Sequence, residues 1–184
     1  MQDVKNWNVN ESWTLFLDRD GVINKRNFDG YITKPEEFKF LEGVPEALNK
    51  LKEQFNKIIV VTNQQGISKG IMSKRNLDDV HRYMLDKLSE YGVKFDAIFV
   101  ATNLRGADND RRKPNKSMAL EAKEMFPEID FFKSVMIGDT DSDIEFGINL
   151  GMKTVLLNSL EKTKLEADLN VNSLKEFALQ ISKN

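Results

Sequence analysis

Five short apolar runs constrain this chain more than any other feature: WTLFL (13–17), KIIVVT (57–62), AIFVAT (97–102), SVMIG (134–138) and KTVLL (153–157). They are rich in β-branched and aromatic residues and continuous rather than alternating, as strands buried on both faces of a parallel sheet should be. Helical spacing fills the intervals. Val44, Leu48, Leu51 and Phe55 share one face, with Gly43 before them and Pro45 in a first-turn position. Leu77, Met84, Leu88 and Tyr91 make a second face, started by Ser73 and stopped by Gly92. Met118, Ala122, Met125 and Phe126 mark a third helix, Ile144 and Ile148 a fourth, and Leu174, Phe177, Ala178 and Ile181 a closing one. Strand and helix alternating in this way predict a three-layer α/β/α sandwich with a central parallel sheet.

At 184 residues the chain fits one domain, read as residues 13–184 behind an N-terminal extension of residues 1–12. Lys plus Arg number 27 and Asp plus Glu 29, a net charge of -2, so no global basic field points to nucleic acid or an acidic membrane. The chain has no cysteine, which excludes disulfides and thiolate chemistry and suits a reducing compartment. Neither a signal peptide nor a membrane-length apolar run is present, so a cytoplasmic monomer is the expectation.

In open parallel sheets, ligands sit beyond the carboxyl ends of the strands. That rule selects Asp18 and Asp20 after the first run, Thr62 and Asn63 at the end of the second, Lys113 in the irregular segment after the third, and Asp139 after the fourth. Acids gathered at one point repel one another unless a cation neutralises them. Mg2+ takes oxygen ligands, typically one or two carboxylates plus phosphate oxygens and water, and Asp18 and Asp139 supply such carboxylates. With one histidine and no cysteine, no zinc site is expected. Thr62, Asn63 and the turn NQQGISKG offer hydrogen-bond donors to a phosphate, and Lys113 a positive charge for a transferring phosphoryl group. One carboxylate can then attack phosphorus and a second acid can move the proton.

DRDGV (18–22), VVTNQQG (60–66), RRKP (111–114) and GDTDSD (138–143) together resemble the four ordered motifs of the haloacid dehalogenase superfamily of phosphatases. More narrowly, FLDRDGVIN, GYITKPEEFKFLEGVPEAL, TNQQGISKG and RKP resemble its heptose bisphosphate phosphatase and histidinol phosphate phosphatase group. The resemblance implies a Rossmann-like fold and hydrolysis through an aspartyl phosphate. It makes Asp18 the nucleophile and a magnesium ligand, and Asp20 the general acid and base, binding metal through its carbonyl. It has Thr62 and Lys113 hold the phosphoryl group, Asp139 supply the second carboxylate ligand, and Asp143 anchor metal-bound water or Lys113. Arg112, Asn63, Gln64 and Gln65, with Asp29, Gly30 and Tyr31, would form the substrate pocket. Many members of the group carry a zinc loop of cysteines and a histidine before RKP, where this chain reads ATNLRGADNDRRKP. No large cap domain is inserted after the first or second motif, so specificity should rest on loops.

Other readings compete at single positions. An isolated pair such as Asp18 and Asp20 reads as a solvated turn, and Asp141 as a charge favoured at a helix N-terminus. Arg111 is expected in solvent, His81 on the surface or rim of its helix, and Arg19 turned away from the metal without a catalytic part. Histidinol phosphate and a nucleic-acid 3'-phosphate end are alternative substrates. A phospho-accepting receiver domain is the alternative from another class, and Asp20, placed to promote turnover, argues against it.

Overall fold

The computed structural model describes residues 4–182, and each of the five apolar runs contributes a strand. These are β1 (Thr14–Leu17), β2 (Lys57–Asn63), β3 (Ala97–Ala101), β4 (Ser134–Gly138) and β5 (Lys153–Leu157). A sixth, β6 (Leu169–Val171), completes a sheet ordered β3-β2-β1-β4-β5-β6, with every neighbouring pair parallel. β6 is absent from the expected set because it is three residues long and its middle residue, Asn170, faces solvent.

Alternate residues of one strand feed opposite sides of the sheet, so both sides are apolar. Leu15 and Leu17 of β1 join one core, to which α1 (Val44–Leu51), α2 (Lys74–Ser89) and α5 (Leu174–Ile181) contribute Leu48, Met84 and Phe177. Phe16, between them, joins the other core with Met118 of α3 (Ser117–Met125) and Phe146 of α4 (Asp141–Leu150). The result is the expected three-layer sandwich.

The helices follow their sequence signals with informative departures. Ser73 caps α2, accepting a hydrogen bond from the Asn76 backbone N–H while the Asn76 side chain accepts from the Ser73 backbone. Tyr91 lies beyond the end of α2 and is exposed, as are Met125 and Ile148 on their helices. Each continues a correct spacing at a position that has already rotated off the covered face. Near the N-terminus, Val4 is buried in the core shared with α5, and the Lys153 amine sits 5.8 Å over the ring of Trp7. Among the described residues no helix is long and apolar enough to cross a membrane.

Candidate active site

The strand order reverses direction on either side of β1, and ligand sites of such sheets form at that point, outside the carboxyl ends. β1 and β4 lie side by side in register, Leu17 opposite Ile137, and the Asp18 N–H continues the ladder to the Ile137 carbonyl at 3.0 Å. The chain leaving β1 therefore carries Asp18 toward Asp139, which leaves β4 one residue later. Asp143 joins them from the first turn of α4. Gly138 makes room for it, since a Cβ there would lie 2.0 Å from the Cβ of Asp143. Carboxylate oxygens of Asp18, Asp139 and Asp143 all lie within 4.8 Å of one another, and all three residues are buried.

Lys113 enters this acidic group from the loop after β3. Its Nζ lies 2.9 Å from Asp18 Oδ1 and 2.6 Å from Asp143 Oδ1, and donates to the Val61 carbonyl at 2.7 Å. Asn63 pins the lysine backbone, accepting from its N–H at 3.0 Å and donating to its carbonyl at 3.3 Å. The other carboxylate oxygen of Asp143 accepts from the Thr140 N–H and hydroxyl, which ties α4 to the site.

One lysine does not balance three buried acids. Burial, partly offset by Lys113 and reinforced by the charges of Asp143 and Asp20, pushes the Asp18 carboxyl up to about 6. Burial and the Asp18 charge push Asp139 up to about 8 despite nearby Arg26 and Lys113. For Lys113, burial opposes the ammonium form, but Asp143 and Asp18 outweigh it and hold the amine above its ordinary range. Asp139 Oδ2 is buried with no hydrogen-bond partner among the described residues. A compact, oxygen-only, electron-rich donor set of this kind fits a small hard cation.

Asp20 stands apart from the cluster. Its carboxylate accepts from Arg19 Nη2 at 2.8 Å on both oxygens, from Asn24 Nδ2 at 2.9 Å and from Gln64 Nε2 at 2.7 Å. Burial works against ionisation, yet Arg19 and these donors hold the carboxyl below its usual value. Gln64 also donates to the Thr62 hydroxyl at 3.0 Å. Thr62 and Gln64 are both buried, and Gln64 braces Asp20 and Thr62.

A cleft of about 770 Å³ opens above, lined by Asp18, Asp20, Lys113 and Asp143 and by the expected pocket residues Asp29, Gly30, Tyr31, Asn63, Gln65 and Arg112. Its volume suits a small molecule. Asp139 lies beneath, 1% exposed, lining a smaller cleft with Gly21 and Arg26.

Four residues carry contacts that the sequence did not show, and of these His81 departs from its expected place. Arg19 is fully buried and grips Asp20, because the turn after β1 folds its side chain inward against α2. His81 is buried there too, its Nε2 3.1 Å from Arg19 Nη1, and burial followed by the arginine charge pushes its pKa down to about 4. Arg111 is partly exposed, as expected, and pairs with Glu121. Asp141 does more than charge a helix end, as its Oδ1 accepts from the Lys164 and Leu165 N–H groups and tethers the loop after β5. Sequence reasoning also passed over Arg26. Its Nη2 donates to the Asp20 carbonyl at 2.9 Å and to Asp139 Oδ1 at 2.5 Å, and lies 3.7 Å from Asp18 Oδ2. The only signal was its place in INKRN, directly after the acidic turn.

The chain is similar to known proteins along most of its length. The family model described as polynucleotide kinase 3 phosphatase matches residues 15–182. A D-glycero-alpha-D-manno-heptose-1,7-bisphosphate 7-phosphatase from Mycobacterium bovis is 34% identical over 173 residues, covering 92% of this chain and 91% of that protein. A D-glycero-beta-D-manno-heptose-1,7-bisphosphate 7-phosphatase from Helicobacter pylori is 34% identical over 150 residues, 81% of this chain and 85% of that one. In fold, the chain matches the crystal structure of D,D-heptose 1.7-bisphosphate phosphatase from B. bronchiseptica, complexed with magnesium and phosphate. The TM-score is 0.82 at 23% identity, over 93% of this chain and 98% of that one. By the family model and by relatives matched along most of their length, the chain belongs to the polynucleotide kinase 3 phosphatase family of haloacid dehalogenase-type phosphatases, within its heptose bisphosphate phosphatase subgroup.

Proposed function

We propose that this protein is a magnesium-dependent phosphomonoesterase whose substrate is D-glycero-D-manno-heptose 1,7-bisphosphate or a closely related sugar phosphate. The observation that carries the chemistry is the buried group of Asp18, Asp139, Asp143 and Lys113 at the floor of the cleft. The substrate class rests on the names of the relatives and on the size of that cleft.

Asp18 is the nucleophile. One of its carboxylate oxygens attacks phosphorus, the ester P–O bond breaks, and an aspartyl phosphate forms. Lys113 faces the charge that develops on the phosphoryl oxygens, and Thr62 supports the same group from the end of β2. Asp20, protonated from solvent once it has left Arg19 for the cleft, gives that proton to the departing sugar oxygen and then takes one from the water that hydrolyses the aspartyl phosphate. Its carboxylate is saturated by Arg19, Asn24 and Gln64, so proton transfer requires it to turn away from those donors and toward the cleft. The Asp18 and Asp139 carboxylates and the Asp20 carbonyl would hold Mg2+, with Asp143 placing Lys113. When bound, the ion offsets the charge of these acids and of the phosphate.

The family model's name favours a second substrate, a 3'-phosphorylated nucleic acid end. The lining of the cleft argues against it. Arg26, Lys69, Arg105, Arg112, Lys113 and Lys162 are matched by Asp18, Asp20, Asp29, Asp141, Asp143 and Glu161, which leaves no basic track for a phosphate backbone.

Phosphate release measured with both anomers of the heptose bisphosphate, sugar monophosphates, histidinol phosphate and a 3'-phosphorylated oligonucleotide tests the assignment. A heptose bisphosphate is expected to lead in kcat/KM by about tenfold or more. The oligonucleotide leading by that margin would replace the substrate proposed. In the same assay Asp18→Asn is expected to lose on the order of a thousandfold or more in kcat, and Asp20→Asn ~10²- to 10⁴-fold. Wild-type turnover in Asp18→Asn would remove it as nucleophile.

A further inference from the structure

Three oxygens converge on Arg26 Nη2: the Asp20 carbonyl at 2.9 Å, Asp139 Oδ1 at 2.5 Å and Asp18 Oδ2 at 3.7 Å. They are the same three groups assigned above to the divalent cation, and a guanidinium nitrogen and a metal ion cannot share one point. We propose that Arg26 is an internal occupant of the metal site, so that metal loading is an exchange in which the incoming cation displaces its guanidinium. The inference rests on the metal assignment made under the proposed function and adds a residue of this chain that competes with the ion.

The pose of Arg26 suits a removable occupant. Its other anchor is weak, with Nη1 3.7 Å from a partly exposed Glu161. Its Nε is buried without a hydrogen-bond partner among the described residues, so the side chain gives up nothing there on leaving. The side chain is 23% exposed and lines the wide cleft, which offers it space. Charge gives the reason for the arrangement. Three buried acids with Lys113 alone carry an excess of negative charge, and either Arg26 or a divalent cation relieves it. The exchange has a measurable consequence. The apparent metal affinity is reduced by the fraction of molecules in which Arg26 holds the site, and a chain without the guanidinium loses that handicap.

Calorimetric titration of the substrate-free protein with Mg2+ reads this directly. Arg26→Met, which keeps most of the apolar stem, is expected to bind Mg2+ about tenfold more tightly than wild type. Arg105→Met, which removes a cleft cation from the loop of residues 102–112, is expected to change the affinity less than threefold. In the wild-type protein, Mg2+ is expected to shift the Nε–Hε NMR signal of Arg26, assigned as the one missing from Arg26→Lys. This keeps the inference testable if Arg26→Met does not fold. Equal or weaker Mg2+ binding by Arg26→Met, an equal gain in Arg105→Met, or an unmoved Arg26 signal with Mg2+ bound would each overturn the exchange and leave the metal site standing. Failure of wild type and variants alike to bind Mg2+ would overturn both.

Discussion

Gly21 shows how narrowly single residues are constrained around the acidic group. Its φ is +93°, a conformation that side-chain-bearing residues rarely adopt, and a Cβ there would lie 2.1 Å from Asp139 Oδ2. The turn that aims Asp18 and Asp20 at the cleft thus lies against the carboxylate from β4. Gly21→Ala is expected to cost about 1–3 kcal/mol of stability through backbone strain and, by pushing Asp139 aside, to weaken Mg2+ binding and turnover together. Urea unfolding beside a Mg2+ titration checks this, and a variant that binds Mg2+ normally would show that Asp139 does not need its present position. That Asp18 and Asp139 would meet was legible in the sequence because each directly follows a strand, and the sheet delivers strand ends to one edge; Lys113, well beyond the end of β3, was marked by RKP. Arg19 and Arg26 were not legible, because where a long side chain turns depends on how the loop after β1 folds. Arg19, between the two acids, pairs with the Asp20 carboxylate, while Arg26, after the turn, reaches Asp18 and Asp139.

At the scale of elements, α2 is the helix that reaches the chemistry from behind. Its periodicity located the helix and its Ser73 cap, but His81 was expected at the surface because a polar residue within an amphipathic pattern normally faces water. Instead His81 meets Arg19, whose guanidinium only donates hydrogen bonds, so Nε2 is the acceptor and the imidazole is neutral. The low His81 pKa has the same origin, burial first and the arginine charge second. α2 therefore positions Asp20 indirectly, through Arg19. His81→Leu strands a buried guanidinium N–H, at a cost of about 1–3 kcal/mol. It is also expected to lower kcat, with less effect on KM, because Asp20 loses its brace. His81→Gln, which restores an acceptor, should recover part of both, and unfolding curves with steady-state kinetics on the pair check this. If leucine and glutamine variants behaved alike, the hydrogen bond to Arg19 would carry no weight. β6 marks the limit of element reading: three residues with a polar centre give too little pattern to separate a strand from a loop.

For the whole molecule, the acids leave a signature in stability against pH. Asp139 is raised to about 8 and Asp18 to about 6, from the ordinary aspartate value of 3.8. Between those values the folded chain binds more protons than the unfolded one, so this contribution to stability is complete below the unfolded value and is lost as pH rises through about 6 and about 8. Asp20, held low chiefly by Arg19 against its burial, acts in the opposite sense, its contribution lost as pH falls below the ordinary carboxylate range. The metal-free protein is thus expected to be most stable in mildly acidic solution and to lose melting temperature toward pH 8. Mg2+ is expected to reverse the trend, because binding at Asp18 and Asp139 would need both ionised and would release their protons. At a hundredfold excess over Kd, the ion adds about 2.7 kcal/mol, or roughly 5–10 °C for a chain of this size. Thermal melts with and without Mg2+ between pH 5 and 9 are expected to show that shift growing through the window of the two raised carboxyls. A shift of equal size at both ends of the range would mean that the ion stabilises the fold without these two carboxylates, and the acidic group between β1 and β4 would then need another occupant.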